Sequence, residues 1–346
     1  MMEVMKMIEY RPWSQAVLEE SLDSYKRGGF NILDIELGGQ CNYHCIYCDS
    51  PSRDKHCRIS IDQLHVAFEK RNIKWVFVCG LGEPTAFGNM QVLLDILKLC
   101  EKYGAKCSIF SNLSTINGDL EYFIKKQILN ILFKYDSRDI AKNMNLYGVP
   151  NVNKQLFNIE KIKKLVTVKD NTTNIAASIV PTKINKGDII EIVKDCLDHN
   201  IFPLIAELEN SGDAQEYYSQ LALSDDELKE LKSQIDHLIQ EDYKVPVCPS
   251  VIGGVHIRHD GHVTVDKFTG LSCHWFWLEE PQTCTVGDFN SDKYENIVES
   301  IINYRKTKID FVRDIIDVKK KSIFGGCGGD ATYLLQRYLE ICKEGL

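Results

Sequence analysis

Short apolar runs alternate with amphipathic stretches as far as residue 210. NILDIEL (31–37), WVFVC (75–79), CSIFS (107–111), LNILFKY (129–135), NIAASIV (174–180) and FPLIAEL (202–208) have the length and the β-branched or aromatic content of strands. Helices are predicted between them: at 60–70, where Ser60 and Gln63 form a capping box, at 89–103, closed by Gly104, and at 158–166 and 187–198. This alternation predicts a parallel sheet with helices packed on it.

The strand faces carry more. Asp34 and Glu36 share one face of the first strand and Leu33, Ile35 and Leu37 the other; Lys134 and Asp136 share a face of the fourth, Glu207 and Glu209 of the sixth. A parallel sheet covered on both sides reads as continuous apolar runs. The polar face therefore has two readings: it lines a substrate cavity inside an open or partial barrel, or its charges are solvated at strand ends. On the first reading Lys134, Asp136, Glu207 and Glu209 are candidates for substrate binding or proton transfer.

The pattern changes after residue 215. Residues 224–240 read as a helix with a Ser224/Glu227 capping box, and a Gly- and Cys-rich stretch follows at 248–290. In that stretch Asp260-Gly261 predicts a hairpin with a tight primed turn. Helical patterns return at 293–317 and 331–344, on either side of SIFGGCGGD. The fold class expected is α/β: a partial (β/α)6 TIM-like barrel followed by a small C-terminal α+β domain. Its divisions are an extension over 1–30, the barrel over 31–215, a linker helix over 216–245 and the second domain over 246–346.

Composition narrows the function. The chain has 346 residues, 44% hydrophobic and 26% charged, enough for a core without staples. A net charge of −8 argues against nucleic acid, whose binding rests on phosphate neutralisation. No run of 18 apolar residues and no signal-like N-terminus is present, so no membrane partner is expected and the cytoplasm is the default. In that compartment thirteen cysteines point to metal binding or catalysis before disulfides.

Three of them, Cys41, Cys45 and Cys48, form C-x3-C-x2-C directly after the first strand. Three thiolates on one short loop can hold three irons of a 4Fe–4S cluster and leave the fourth open to a substrate. The rival is a structural zinc site with Cys57, His44 or His56 as fourth ligand, although such sites usually show paired spacings. The second motif, GLGEPT at 80–85, ends the second strand, and its glycines let the backbone approach a ligand closely.

The two motifs together resemble the radical S-adenosylmethionine superfamily. The resemblance implies a 4Fe–4S cluster on the three cysteines that cleaves S-adenosylmethionine reductively, giving a 5′-deoxyadenosyl radical that abstracts hydrogen from a substrate. It implies that Tyr47 packs near the adenine and that Gly80, Gly82, Glu83 and Pro84 belong to the segment that binds the methionine amino group. Ser111, Asn112 and Ser178 match positions near the ribose and adenine. Here Leu81 separates the two glycines, where the commoner form has them adjacent.

The second domain, 246–346, resembles the SPASM or shorter twitch domain, which implies an auxiliary 4Fe–4S cluster on Cys248, Cys273, Cys284 and Cys327. It lacks the cysteine number and the closing C-x2-C of a full SPASM domain, and the alternative is buried structural thiols. Cys57 and Cys79, near the active-site loops, are candidate hydrogen donors; Cys100, Cys107, Cys196 and Cys342 are expected in the core. The resemblance further implies oxidation, cross-linking or epimerisation of a peptide, and a reducing partner such as flavodoxin or ferredoxin. The alternatives are a dehydrogenase or epimerase of a small polar metabolite (a sugar or aminocyclitol) and a two-cluster electron-transfer protein.

Overall fold

The computed structural model describes residues 8–26, 30–48, 56–78, 80–206, 208–210, 212–239, 248–266 and 283–306. The strands, in chain order, are β1 (Glu9–Tyr10), β2 (Ile32–Ile35), β3 (Trp75–Val78), β4 (Lys106–Ser111), β5 (Leu129–Lys134), β6 (Val168–Lys169), β7 (Thr172–Thr173), β8 (Ile175–Ile179), β9 (Phe202–Ile205), β10 (Gly254–Ile257), β11 (His262–Asp266) and β12 (Thr283–Asp288). β2, β3, β4, β5, β8 and β9 lie side by side in that order, all parallel. They are the six strands expected from the apolar runs, with helices between them.

The sheet order is linear, and it continues past β2. β10 pairs with β2 in parallel, Gly254 against Ile32 through Ile257 against Ile35, and β11 and β12 add on antiparallel. β10, β11 and β12 thus extend the same sheet from beyond the division expected at 246. The reason is chemical as well as geometric. Asp34 and Glu36 are at most 1% exposed, and a buried carboxylate needs partners. β10 and its flanks bring them: the His256 ring lies 3.7 Å from Asp34 and 3.9 Å from Glu36, His259 Nδ1 lies 3.1 Å from Glu36, and Ser250 Oγ donates to Asp34 at 2.8 Å.

The hairpin after β10 forms at the expected Asp-Gly, but with different turn chemistry. Arg258 N–H donates to His262 O at 2.9 Å and Gly261 N–H to Arg258 O at 2.8 Å, and Gly261 has φ +93°. This is a three-residue loop with glycine in the left-handed position, not a two-residue primed turn.

Register sorts the faces. His256, Asp34, Phe77, Ser108 and Asn130 stand in one row on the polar face. The opposite face, with Leu33, Ile35, Val78, Ile109 and Ile131, joins Leu64, Leu93, Ile96, Leu120 and Ile192 of the helices in the main core. Asp136 is also fully buried, so Asp34, Glu36 and Asp136 are not solvated at strand ends.

The N-terminal extension belongs to this core. β1 pairs with β7 in a small sheet of order β1-β7-β6, and Tyr10 and Trp13 are buried in the main core. Tyr10 Oη lies 2.9 Å from Ser108 Oγ, on the polar face. Tyr10→Phe removes this hydrogen bond and leaves the ring in place. The expected cost is about 1 kcal/mol, read by urea unfolding; an unchanged midpoint would place the contact outside the folding balance.

Helix ends follow their caps. Ser224 and Glu227 exchange both capping-box bonds, and Ser60 Oγ accepts from Gln63 N–H at 3.3 Å. The helix expected at 158–166 is Asn153–Ile162 followed by a 3₁₀ turn, Lys163–Leu165. Gln15–Lys26, Gly118–Lys125, Ile140–Tyr147 and Ala214–Leu221 are helices that the apolar pattern did not single out. The last helix described is Tyr294–Lys306; residues 307–317 and 331–344 lie outside the described residues. Among the described residues no helix is long and apolar enough to cross a membrane.

Candidate active site

A cleft with about 590 Å³ of free space, open mouth included, lies beyond the C-terminal ends of the central strands. Its walls come from Gly39, Cys41, Tyr43, Cys45 and Cys48 after β2, from Gly80, Gly82 and Glu83 after β3, from Phe110, Ser111 and Asn112 at the end of β4, and from Lys134 at the end of β5. Ligands of open parallel sheets sit outside this edge.

The cysteine loop is held from below. The helix Ile140–Tyr147 stops at Gly148, which has φ +58°, and the loop's backbone docks on the free carbonyls at its end. His44 N–H donates to Tyr147 O at 2.9 Å and Ile46 N–H to Leu146 O at 3.0 Å. A side chain at 148 would run into His44 O. Tyr43 stacks on Tyr147 with ring centres 5.5 Å apart, and Cys45 and Tyr47 share a second apolar cluster with Leu146, Tyr147 and Val152.

All three motif cysteines line the cleft. Burial pushes Cys45 up to about 12, with Lys134 opposing and Cys48, Cys41 and Asp136 adding. A thiol held there in its neutral form becomes a thiolate when a metal takes the charge, so the donor set fits an iron–sulfur cluster. Among the described residues no three His, Cys, Asp or Glu side chains converge on a single-ion site. The fourth ligands considered for zinc do not reach the cleft. His44 Nδ1 lies 2.9 Å from Tyr43 O, His56 Nδ1 lies 3.2 Å from the Gln40 amide, and Cys57 packs against the main core.

Glu83 is the hub of the second wall. Its Oε1 accepts from Thr85 N–H at 3.0 Å, Thr85 Oγ1 at 2.6 Å and Ser111 Oγ at 2.7 Å, and its Oε2 accepts from Asn112 N–H at 2.7 Å. Burial raises this carboxyl above the usual carboxylate range, and the four donors pull against that rise. The Asn112 amide donates to Asn42 Oδ1 at 3.0 Å, which ties the β4 end to the cysteine loop. Gly82, at φ +65°, lies against the backbone of Gly38, Gly39 and Gln40, and Glu83 N–H donates to Gln40 O at 2.8 Å. Pro84 is buried in the turn that follows.

Other expected residues fall elsewhere. Tyr47 is buried behind the cysteines, its hydroxyl donating to Asp136, and does not line the cleft. Ser178 is buried beside Lys134 in register and Glu209 is half-buried; neither lines the cleft. Cys57 is half-buried, its thiol raised by burial, and also outside the wall. Cys248 is buried in the main core. Cys79, Glu207, Cys273 and Cys327 lie outside the described residues, and of Cys284 only its backbone place in β12 is described.

The sequence did not single out Tyr43, Phe110 or Asn89. Asn89 is 1% exposed and its amide donates to both Gly38 O at 3.1 Å and Glu83 O at 2.9 Å, clamping the two glycine loops together. A buried asparagine in the first turn of an amphipathic helix is the signal that would have marked it.

No known family profile matches the chain, and no curated protein does. Solved structures match its fold. Streptococcus suis SuiB bound to S-adenosylmethionine is 17% identical with a TM-score of 0.52, covering 67% of this chain and 59% of SuiB. SuiB bound to the precursor peptide SuiA is 16% identical with a TM-score of 0.55, covering 95% of this chain and 75% of SuiB. Native anSMEcpe with bound AdoMet and the Cp18Cys peptide is 12% identical with a TM-score of 0.57, covering 90% and 97%. The chain shares the fold of SuiB and anSMEcpe, a mixed α/β architecture built on a large parallel sheet.

Proposed function

We propose that this chain is a radical S-adenosylmethionine enzyme acting on a peptide. One observation carries the reading: a single cleft collects the three thiols of the cysteine loop, the Glu83 carboxylate and the Ser111–Asn112 pair. Cys41, Cys45 and Cys48 would hold a 4Fe–4S cluster. Gly80 and Gly82 leave room for S-adenosylmethionine against the backbone, and Glu83, Ser111 and Asn112 offer partners for its amino and hydroxyl groups. When bound, cluster and S-adenosylmethionine supply the electron and the 5′-deoxyadenosyl radical that takes hydrogen from the substrate. The protein's part is orientation and the exclusion of water by the Tyr43 and Phe110 rings of the wall.

Three further parts belong to the same reading. The open sheet forms a partial barrel around the cleft. Residues 246–346 hold an auxiliary cluster on Cys248, Cys273, Cys284 and Cys327. A flavodoxin or ferredoxin in the cytoplasm reduces the enzyme. The peptide class is supported by the peptides that SuiB and anSMEcpe bind.

The test is anaerobic purification and reconstitution, iron counting, and addition of S-adenosylmethionine with a strong reductant. Expected are about eight irons per chain, two full clusters, and release of 5′-deoxyadenosine. About four irons would remove the auxiliary cluster from the reading. Zinc with no iron, or a full cluster that never releases 5′-deoxyadenosine, would overturn it.

A further inference from the structure

Residues 58–60, a short way beyond the cysteine loop, run past the β10–β11 hairpin and are pinned to it. Arg58 N–H donates to His259 O at 2.6 Å. Asn290, just after β12, binds the same stretch twice: its Oδ1 accepts Ser60 N–H at 2.9 Å and its Nδ2 donates to Arg58 O at 3.2 Å. Nδ2 also donates to Asp260 O, in the hairpin, at 3.4 Å. One side-chain amide thus joins two backbone segments that are far apart in the chain.

That amide is itself held. Asn290 N–H donates to Asp288 Oδ1 at 2.9 Å, and Phe289 N–H donates to Gly261 O at 2.8 Å. A side chain at 261 would overlap the Asn290 amide, so the glycine of the hairpin leaves the room it needs. The hairpin is fixed in turn to the end of β2, where His259 N–H donates to Glu36 Oε2 at 3.2 Å.

From this pinned stretch the chain reaches back to the cleft. His56 is exposed, and its Nδ1 lies 3.2 Å from Gln40 Nε2. Gln40 directly precedes Cys41. Its side-chain amide fills the space beside Gly88, at the start of the helix Phe87–Tyr103, and its carbonyl accepts Glu83 N–H at 2.8 Å. Gln40 is therefore the joint of the cysteine loop, the glycine loop and that helix. Between residues 56 and 60 only Ile59 is buried, so apolar packing does not by itself orient His56. The bonds at Arg58 and Ser60 do.

We propose that Asn290 is a positioning residue for the cleft: by pinning residues 58–60 to the hairpin it seats His56 on Gln40, and so steadies the joint that carries Cys41 and Glu83. The inference rests on the proposed function, because the ligand whose binding it supports is S-adenosylmethionine.

The test is a double-mutant cycle on the reconstituted protein, with Asn290→Ala, His56→Ala and the two combined, and S-adenosylmethionine binding read by equilibrium dialysis. Iron content and backbone hydrogen exchange of residues 56–60 are measured alongside. Asn290→Ala is expected to speed exchange over 56–60 and to weaken binding about fivefold, the low end of coupling between separate sites, with iron content unchanged. His56→Ala is expected to weaken binding by a similar factor and to leave exchange at Arg58 and Ser60 as it was. The combined variant should bind no more weakly than either alone, because both changes act through one contact. Unchanged binding in Asn290→Ala, or effects that multiply in the combined variant, would overturn the proposal; a general loosening of the fold gives the second result. If Asn290→Ala fails to fold or to take up iron, Asn290→Asp carries the same cycle and the same two outcomes overturn the proposal. It keeps the acceptor for Ser60 N–H and loses the donor to Arg58 O. A wild-type protein that binds no S-adenosylmethionine fails the proposed function and this inference with it, whereas unchanged binding confined to the Asn290 variants fails the inference alone.

Discussion

Cys45→Ala is expected to bring the release of 5′-deoxyadenosine down to background and to remove about four irons per chain, the complement of one cluster. Cys45 is the middle of the three thiols and is 6% exposed, between the cleft and the Tyr43–Tyr147 stack. Two remaining thiols cannot hold three irons, and no described neighbour is placed to substitute. His44 is turned to a backbone oxygen, and Cys57 lies in the other core. The loop itself should survive, because its backbone bonds to Leu146 and Tyr147 do not involve the sulfur. A small buried side chain trimmed by one atom costs on the order of 1 kcal/mol, so a folded, inactive protein is the expected product. Cys100→Ala is the matching control. That thiol is fully buried in the helix Phe87–Tyr103 and is raised by burial alone apart from one opposing backbone bond. Iron and activity should stay with it. If Cys45→Ala keeps its iron and its activity, the assignment of the cysteine loop is wrong.

What the sequence showed of this site was local. Strands read from apolar runs were placed well because each is fixed by its own residues. The three cysteines and Gly80–Glu83 were legible because strand ends deliver them to one edge of a parallel sheet. The alternation of Asp34 with Glu36 and of Lys134 with Asp136 marked one polar face of the strands; in the structure Asp34, Glu36 and Asp136 are buried and Lys134 lines the cleft. The partners of those charges were not legible. His256 meets Asp34 across more than 200 residues, and Tyr47 meets Asp136 across 89. No period or spacing encodes such a meeting; it follows only once β10 is known to add to β2. The helix Ile140–Tyr147 was missed because it is short, and its stability comes from tertiary docking, here of the cysteine loop on its last carbonyls.

Gly82→Ala tests whether the cleft depends on contact between two backbones. Gly82 has φ +65°, where a residue with a side chain pays about 1–2 kcal/mol. A methyl group there would also overlap Gly38 O and come to 2.5 Å from Gln40 O and 2.7 Å from Gly39 C. All three are backbone atoms of the segment that leads into Cys41, and they cannot rotate away as a side chain would. Relief requires the two loops to separate, which breaks the Glu83 N–H bond to Gln40 O and the Asn89 clamp between Gly38 and Glu83. The expected result is a folded protein whose S-adenosylmethionine binding, read by equilibrium dialysis, falls at least tenfold, equivalent to about 1.4 kcal/mol. Gly104→Ala separates strain from contact. Gly104 has φ +70° and nothing within 4 Å of where a methyl would sit, so it carries the same backbone penalty at a helix end far from the motif. The two variants should lose similar stability from the backbone conformation, with Gly82→Ala losing more, and only Gly82→Ala should lose binding. Equal binding in both would mean that the glycine loop and the cysteine loop do not need each other, and the cleft as described would not be the binding site.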